Sequence, residues 1–391
     1  MDNELLRAWR WHRQGLDGSL QRATAAEVLE QTGWIRTVGG AAPYLGLHAR
    51  AGLSRQAIDR DVAEVKICEL PSTRGCTYLL PAAHFATGLK LGQGRSDEAA
   101  VRTAKKFLGV TDDELSRLEA AVVTALENGP QDPRALSAAL GGVVRNLGAE
   151  GKKRGQTTTL PLALGRLQSH GQIRRVPLDG RLDGQRYAYT RWQPSPLAED
   201  PGDVAASMVK WFFRWIGPAT LAQFAEFSGL GVRESRAAVE AVGLEQGGDQ
   251  LALPGDFARV EAYRPPVKPV YNLLSNLDGL CLFRRDIGSL FSDAHRDRPL
   301  WTERGAVAGS ALADLSHQVI VDRGTLVGVW DYDPAEGRVV WATFDPPTAA
   351  LREEVERVQA WIAGDLGDVR SFSLDSPASR APRLGAIRGM A

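Results

Sequence analysis

The chain has few of the residues on which disulfide frameworks, zinc sites and membrane spans depend. Its 391 residues include only three cysteines, Cys68, Cys76 and Cys281, at unrelated spacings. An odd and scattered set of cysteines predicts neither a disulfide framework nor a zinc site. No apolar run approaches the ~18 residues of a membrane span, so none is expected. The first residues lack the basic-then-apolar pattern of a secretory signal, which predicts a cytoplasmic protein.

An excess of charge of either sign is also missing. The 47 Lys and Arg residues balance 47 Asp and Glu residues, which gives a formal net charge of zero. Attraction of the whole chain for a polyanion is therefore excluded, and any surface that binds nucleic acid must be local. The apolar fraction of 43% is that of an ordinary globular protein. At roughly 150 residues per domain, the length indicates about two to four domains.

The common catalytic signatures are absent from the sequence. There is no Walker loop, GxGxxG, HExxH or GxSxG, and the histidines have no metal-ligand spacing; they lie at positions 12, 48, 84, 170, 295 and 317. We therefore expect no metal site and no cofactor.

Predicted helices followed by a hairpin make up the first ninety residues. Thr24 and Glu27 have the spacing of a capping box, in which the two residues satisfy free N–H groups at a helix start. Helical patterns cover residues 4–14, 24–34, 41–49 and 54–64, and strand patterns follow at 66–70 and 76–80. This is the order of elements in a winged helix, which we predict over residues 1–92.

The same order of elements recurs twice. Thr111 and Glu114 have the spacing of a second capping box, and a helix near Thr159 precedes two strand patterns with a charged turn between them. We predict a second winged helix over residues 111–193, with the helix after Thr159 as its recognition helix. A third is predicted over residues 203–262.

Strand patterns dominate the rest of the chain. They lie at residues 270–274, 277–283, 318–321, 326–332 and 339–344, and a closing helix is predicted over 345–364. The Pro-, Ser- and Arg-rich residues 370–391 are predicted to form an extended tail. The predicted fold class is thus α+β, with three tandem winged-helix (helix-turn-helix) domains followed by a β-rich C-terminal region over residues 263–364.

A local cluster of positive charge lies in the second predicted winged helix. Residues 151–192 contain nine Lys and Arg residues and two Asp residues, so nine minus two gives a net charge of plus seven. Basic residues beside a recognition helix neutralise DNA phosphates. The candidate DNA-binding residues are Lys152, Lys153, Arg154, Thr158, Arg166, Arg174, Arg175 and Arg181. A solvated basic loop and a surface for an acidic protein remain alternatives.

Short motifs along most of the chain resemble the AlkZ-like family. They are Pro43–Arg50 (PYLGLHAR), Arg74–Tyr78, Gly217–Thr220 with Phe224–Ala225, Ser228–Leu230, Leu273–Leu274 with Asp278, Phe283–Asp286 and Val327–Trp330. The family is similar to DNA glycosylases that remove alkylated bases and unhook interstrand crosslinks. The resemblance implies three winged helices, a β-rich C-terminal region and double-stranded DNA as the partner. We expect a monomer.

The chain departs from the family at its catalytic signature, a glutamine–apolar–glutamine or glutamine–x–aspartate motif upstream of the PYLGLHAR stretch. Counting back from Arg50 places that motif on Arg36, Thr37 and Val38. The remaining polar candidates for catalysis are Gln31, Arg36, Thr37 and His48. The departure predicts DNA binding with weak or absent base excision. A non-catalytic winged-helix protein, either a damage reader or a transcriptional regulator, is the alternative.

Overall fold

The structure is a computed structural model that describes residues 2–184 and 186–390. The helices are α1 (Asn3–Arg13), α2 (Ala25–Thr32), α3 (Ala42–Ala51), α4 (Arg55–Ala63), α5 (Phe85–Gly92), α6 (Ser96–Leu108), α7 (Asp112–Ala125), α8 (Pro133–Leu140), α9 (Gly148–Lys153), α10 (Leu160–Ser169), α11 (Val204–Ile216), α12 (Leu221–Ser228), α13 (Val232–Val242), α14 (Asp256–Ala262), α15 (Gly279–Leu282), α16 (Ala349–Trp361) and α17 (Pro377–Arg388). The strands are β1 (Ile35–Arg36), β2 (Ile67–Pro71), β3 (Thr77–Pro81), β4 (Ile173–Pro177), β5 (Tyr187–Arg191), β6 (Ala219–Thr220), β7 (Glu245–Gly247), β8 (Gln250–Ala252), β9 (Tyr271–Leu274), β10 (Pro299–Thr302), β11 (Gly305–Ala308), β12 (Gln318–Asp322), β13 (Thr325–Asp333) and β14 (Arg338–Thr343).

These elements form two units, which are described separately. The first unit joins the residues up to Ile67 with those from Ala205 onwards, and the second is the continuous segment Cys68–Val204. No helix in the described part of the chain is long and apolar enough to cross a membrane.

A four-stranded antiparallel sheet forms the centre of the β-rich part of the first unit. Its strand order is β14-β13-β12-β9, and Trp330 of β13 lies opposite Trp341 of β14. The buried Trp330 indole donates to the carbonyls of Leu274 and Val319, at 3.2 and 3.1 Å. Helices α16 and α17 pack against this sheet. The mixed α and β content agrees with the predicted class.

Two predicted elements of the first unit are wrong. Residues 277–283 do not form a strand, because the Asp278 carboxylate accepts a hydrogen bond from the Leu280 amide at 3.0 Å and begins α15. The extended tail predicted for 370–391 contains α17, which Ser376 caps and which begins at Pro377. The arginines of α17 are also buried: Arg383 Nε donates to the Asp331 carboxylate at 2.8 Å.

The second unit contains the predicted helices and hairpin of residues 111–193. Helices α7, α8 and α10 pack with the β4–β5 hairpin around a buried core that includes Leu118, Leu136 and Leu164. The Thr111 hydroxyl accepts from the Glu114 amide as predicted, but the Glu114 carboxylate binds Arg145 instead of completing a capping box. Helix α6, which the sequence analysis did not predict, packs against α10.

Candidate nucleic-acid site

Arg36, Thr37 and Val38, the residues predicted to stand at the family's catalytic signature, lie on and just after β1. Ile35 and Thr37 are buried, whereas Arg36 and Val38 are partly exposed. This alternation is that of an extended backbone, whose successive side chains point to opposite sides. Arg36 and Val38 therefore share the accessible side of the segment, which we call the motif loop (residues 36–41).

Backbone contacts with the C-terminal segment hold the motif loop in place. The Ala41 amide donates to the Arg370 carbonyl at 2.8 Å, and the Ser373 amide donates to the Val38 carbonyl at 2.9 Å. A Cβ at Gly40 would lie 2.4 Å from the Arg370 carbonyl oxygen, so the approach requires glycine there. Residues predicted to form a free tail thus support the loop.

Two polar atoms of the motif loop are buried without hydrogen-bond partners in the described part of the chain. They are Nε of Arg36 and Oγ1 of Thr37. Unpaired buried polar atoms are costly and often mark functional positions. The loop therefore offers one cation on its accessible side and one hydroxyl beneath it, with no carboxylate or amide at either of the family's glutamine positions.

A buried ion pair anchors the PYLGLHAR helix, α3. Arg50 and Asp278 form a two-pronged contact, with N–O distances of 2.7 and 2.9 Å, and both side chains are almost completely buried. Arg50 also donates to Gln14 Oε1 at 2.8 Å, and Gln14 Nε2 donates to the Thr32 and Trp215 carbonyls. Two residues on which the resemblance rests, Arg50 and Asp278, thus have a structural role.

His48 faces α16. Its ring stacks on Trp361 with centroids 3.8 Å apart, and Nδ1 lies 3.1 Å from the Leu53 carbonyl, so Nδ1 carries the proton. Nε2 lies 3.3 Å from Nη1 of Arg357, a donor, and therefore accepts. Burial lowers the pKa of His48, which keeps the ring neutral near pH 7. The nitrogen that could act as a base is therefore occupied.

Gln31 lies at the end of α2, where its side chain is exposed. That helix ends at Gly33, which has a φ of 101°, and a Cβ there would lie 2.5 Å from the Phe283 ring and 2.9 Å from Trp215. The close approach fixes the path of the chain from α2 into β1. No described hydrogen bond joins Gln31, Arg36 and His48.

The most basic part of the second unit is a loop closed at its base. The Leu147 amide donates to the Thr157 carbonyl at 2.9 Å, and the Thr159 amide donates to the Arg145 carbonyl at 3.0 Å. Residues 147–157, which we call the basic loop, therefore precede α10 and contain α9, which packs against α6. Lys152 and Lys153 are exposed at its end. Thr158 lies at the closed base and is partly buried.

Ion pairs reduce the charge that the sequence places in this region. Glu150 binds both Lys153 and Arg154, at 2.8 and 2.9 Å. Three more of the nine cations also have carboxylate partners; the pairs are Arg166–Glu119, Arg181–Asp183 and Arg191–Glu127. Of the predicted DNA-binding cations, Lys152, Arg174 and Arg175 form no ion pair within 4 Å in the described part of the chain. Arg175 instead lies over the Tyr187 ring, 5.2 Å from its centroid.

Helix α10, the predicted recognition helix, is largely covered within its own unit. Its buried residues include Leu160, Leu162, Leu164 and Leu167, which contact more than one neighbouring helix, and Arg166 is half-buried. Pro161 is the one exposed residue of α10. The polar surface available to a ligand therefore lies in the basic loop before α10 rather than along the helix itself.

Comparisons with known proteins agree with the family suggested by the motifs. A family model described as DNA glycosylase AlkZ-like matches residues 7–361. The solved structure of Streptomyces sahachiroi DNA glycosylase AlkZ is similar in fold, with a TM-score of 0.69 at 19% sequence identity, and the match covers 94% of this chain and 97% of that one. A comparison with curated proteins gave no match. The predicted glycosylase-type family is confirmed, because the matched model spans most of the sequence: the chain belongs to the AlkZ-like DNA glycosylase family.

Proposed function

We propose that this protein binds double-stranded DNA carrying alkylated or crosslinked bases and hydrolyses the N-glycosidic bond of the damaged nucleotide weakly or not at all. The observation that carries the proposal is the pair Arg36 and Val38. Both lie on the accessible side of an anchored motif loop, where the family's signature has glutamines.

Neither residue supplies the chemistry that hydrolysis of an N-glycosidic bond requires. A polar group has to orient or deprotonate a water molecule within hydrogen-bond reach of the sugar carbon, and Val38 has no such group. The reacting sugar also becomes positively charged, and the Arg36 cation would repel it. A cation at this position instead suits a DNA phosphate, which favours binding over catalysis.

The other catalytic candidates offer little compensation. Both ring nitrogens of His48 are engaged by other groups, and the Thr37 hydroxyl is buried beneath the loop. Gln31 is exposed but lies on α2, before the loop.

The element order supports DNA binding by three winged helices within residues 1–92, 111–193 and 203–262. In the second winged helix, we propose that the basic loop contacts phosphates through Lys152, Lys153 and Arg154. Thr158 and the start of α10 lie next to this loop. Arg174 contributes from the hairpin, whereas Arg166, Arg175 and Arg181 are held mainly by neighbouring side chains. We further propose that the protein is cytoplasmic and acts as a monomer.

The test is a base-release assay run beside a binding assay. Duplexes containing 7-methylguanine or an interstrand crosslink are incubated with the protein, and abasic sites are counted while duplex affinity is measured. We expect binding with little release by the wild type. The double substitution Arg36→Gln with Val38→Gln restores the signature and should raise release by about 100-fold or more. Arg60→Gln, an exposed arginine on α4, is the matched control.

Three outcomes separate this proposal from its alternatives. Robust release of 7-methylguanine by the wild type, lost in His48→Ala or Gln31→Ala at unchanged duplex affinity, would show that the site has been rebuilt around those residues. A non-catalytic reader or regulator, which the apolar Val38 favours, would bind duplex and release no base at any enzyme concentration, even with Arg36→Gln and Val38→Gln. Duplex affinity that does not depend on salt would favour an acidic protein as the partner.

A further inference from the structure

A small polar pocket beside α1 has an excess of positive charge. Its lining includes Arg7 and Arg10 from α1, Asp286 and Asp293 from the segment after α15, and Arg296 and Ser310 beyond it. Arg7 and Arg10 are only 9% and 4% exposed, whereas Asp293 and Arg296 lie at the exposed rim. We call this cavity the arginine pocket.

Among the described residues, no carboxylate lies within 4 Å of Arg10. Its Nη2 donates to the Pro218 carbonyl at 2.5 Å and lies 3.5 Å from the Gln250 side-chain oxygen. Its Nε is buried and has no hydrogen-bond partner in the described part of the chain. A buried guanidinium normally forms an ion pair, because removing a charge from water is costly unless an opposite charge compensates it.

A further arginine adds to the imbalance. Arg284 is 5% exposed, and its nearest carboxylate oxygen, on Asp286, is 3.4 Å away. Its Nε also lacks a partner in the described residues. The pocket lining has three arginines, Arg7, Arg10 and Arg296, and two carboxylates, so three minus two gives a net charge of plus one, and Arg284 lies beside the lining. Burial lowers the pKa of Arg284 to about 10, and burial together with the Arg284 charge lowers the pKa of Arg10.

We propose that the arginine pocket binds a phosphate-type oxyanion. An oxyanion, which carries one negative charge as a DNA backbone phosphate and one or two as free phosphate, would balance this positive charge. It would also accept hydrogen bonds from guanidinium groups, whose planar donors match phosphate oxygens in geometry. A metal cation is disfavoured by the same charges. The oxyanion is either free phosphate or a phosphate of the DNA backbone, and the two sources differ in what they do to duplex binding.

The first experiment titrates inorganic phosphate into the full chain without DNA, so its result does not depend on the proposed function. Binding is measured by calorimetry and by thermal unfolding, with sodium chloride at equal ionic strength as the reference. We expect phosphate to raise Tm in the wild type and in Arg304→Gln, an exposed arginine of the β10–β11 turn. Arg296→Gln should weaken phosphate binding about tenfold, since it removes a charged hydrogen-bond donor.

A second variant and a competition experiment between phosphate and duplex DNA complete the test. Arg10→Lys keeps the charge but removes the planar donors, so phosphate binding should again weaken by about tenfold. If phosphate competes with duplex in the wild type more than in Arg296→Gln, the pocket takes a backbone phosphate; equal competition assigns it to free phosphate. Phosphate that stabilises no better than chloride, or that binds both pocket variants as tightly as the wild type, would overturn the proposal.

Discussion

Glu150 should restrain DNA binding by the basic loop. Its carboxylate holds both Lys153 and Arg154, although Lys153 is still 70% exposed. Replacing Glu150 with Gln removes the competing negative charge and leaves both cations available to phosphates. We therefore expect Glu150→Gln to bind duplex DNA more tightly, whereas the triple substitution of Lys152, Lys153 and Arg154 by Ala should weaken binding.

The ion pairs of Glu150 with Lys153 and Arg154 determine how much each substitution should change duplex affinity. One phosphate contact adds about 0.9 to the slope of log affinity against log salt, which at ~0.1 M salt is about eightfold in affinity. Lys152 has no ion pair with any residue that the structure describes, and Glu150 neutralises one of the other two cations, so the triple substitution removes about two effective contacts. Its slope should fall by about 1.8 and its affinity by about 60-fold, while Glu150→Gln should gain about one contact.

Fluorescence anisotropy of a labelled duplex, repeated across a salt series, measures both quantities. Glu353→Gln, which changes the net charge by the same amount at an exposed position on α16, is the control and should have the wild-type slope. Both effects should be similar for unrelated DNA sequences, because phosphate contacts read no bases. If neither Glu150→Gln nor the triple variant changes the slope, the basic loop does not contact DNA.

Three further predictions concern stability. Arg50→Met leaves Asp278 buried without its ion pair and should lower the free energy of unfolding by about 4 kcal/mol. Calorimetry should then show a fall in Tm of roughly 10 °C. An unchanged Tm would contradict the importance of this ion pair. Burial lowers the pKa of His317 to about 4, below an unfolded value of about 6.5. Stability from its neutral ring is therefore present above pH 6.5 and lost as the pH falls towards 4, by at most about 3 kcal/mol, and Tm measured across that range should vary less in His317→Leu. Gly40→Ala places a Cβ 2.4 Å from the Arg370 carbonyl oxygen and should lower the free energy of unfolding, measured in urea, by about 1–3 kcal/mol. Gly364→Ala, at an exposed position, is the control and should not lower it.

Local signals in the sequence were sufficient for many elements of the fold. Thr24 caps α2 with a reciprocal hydrogen bond to Glu27, as the spacing predicts. The alternating residues of β12, β13 and β14 form strands close to the predicted limits. Asp278 shows where local signals fail: the residues after it are apolar enough for a strand, but its carboxylate caps a helical turn instead.

The candidate site depends on contacts that no local pattern reveals. Arg50 and Asp278 are 228 residues apart in sequence, so their pairing could not be predicted from either motif alone. The net charge of residues 151–192 overstates the charge available in the basic loop, because Glu150, one residue before that segment, binds Lys153 and Arg154. The Pro-, Ser- and Arg-rich composition of residues 370–391 likewise predicts an extended tail, although the backbone of Arg370 and Ser373 supports the motif loop.

The discontinuity of the first unit has a consequence for protein synthesis. Helix α1 ends up among residues made much later: Arg7 donates to Thr325, which is 318 residues further along. At about 5–20 residues per second, a ribosome needs roughly 15–60 s to produce that partner. The second unit is continuous, and all of its residues are translated before most of the first unit exists. The Trp9 and Trp11 indoles donate to Gly217 and Asn272, so both tryptophans lack these partners while the ribosome synthesises the second unit.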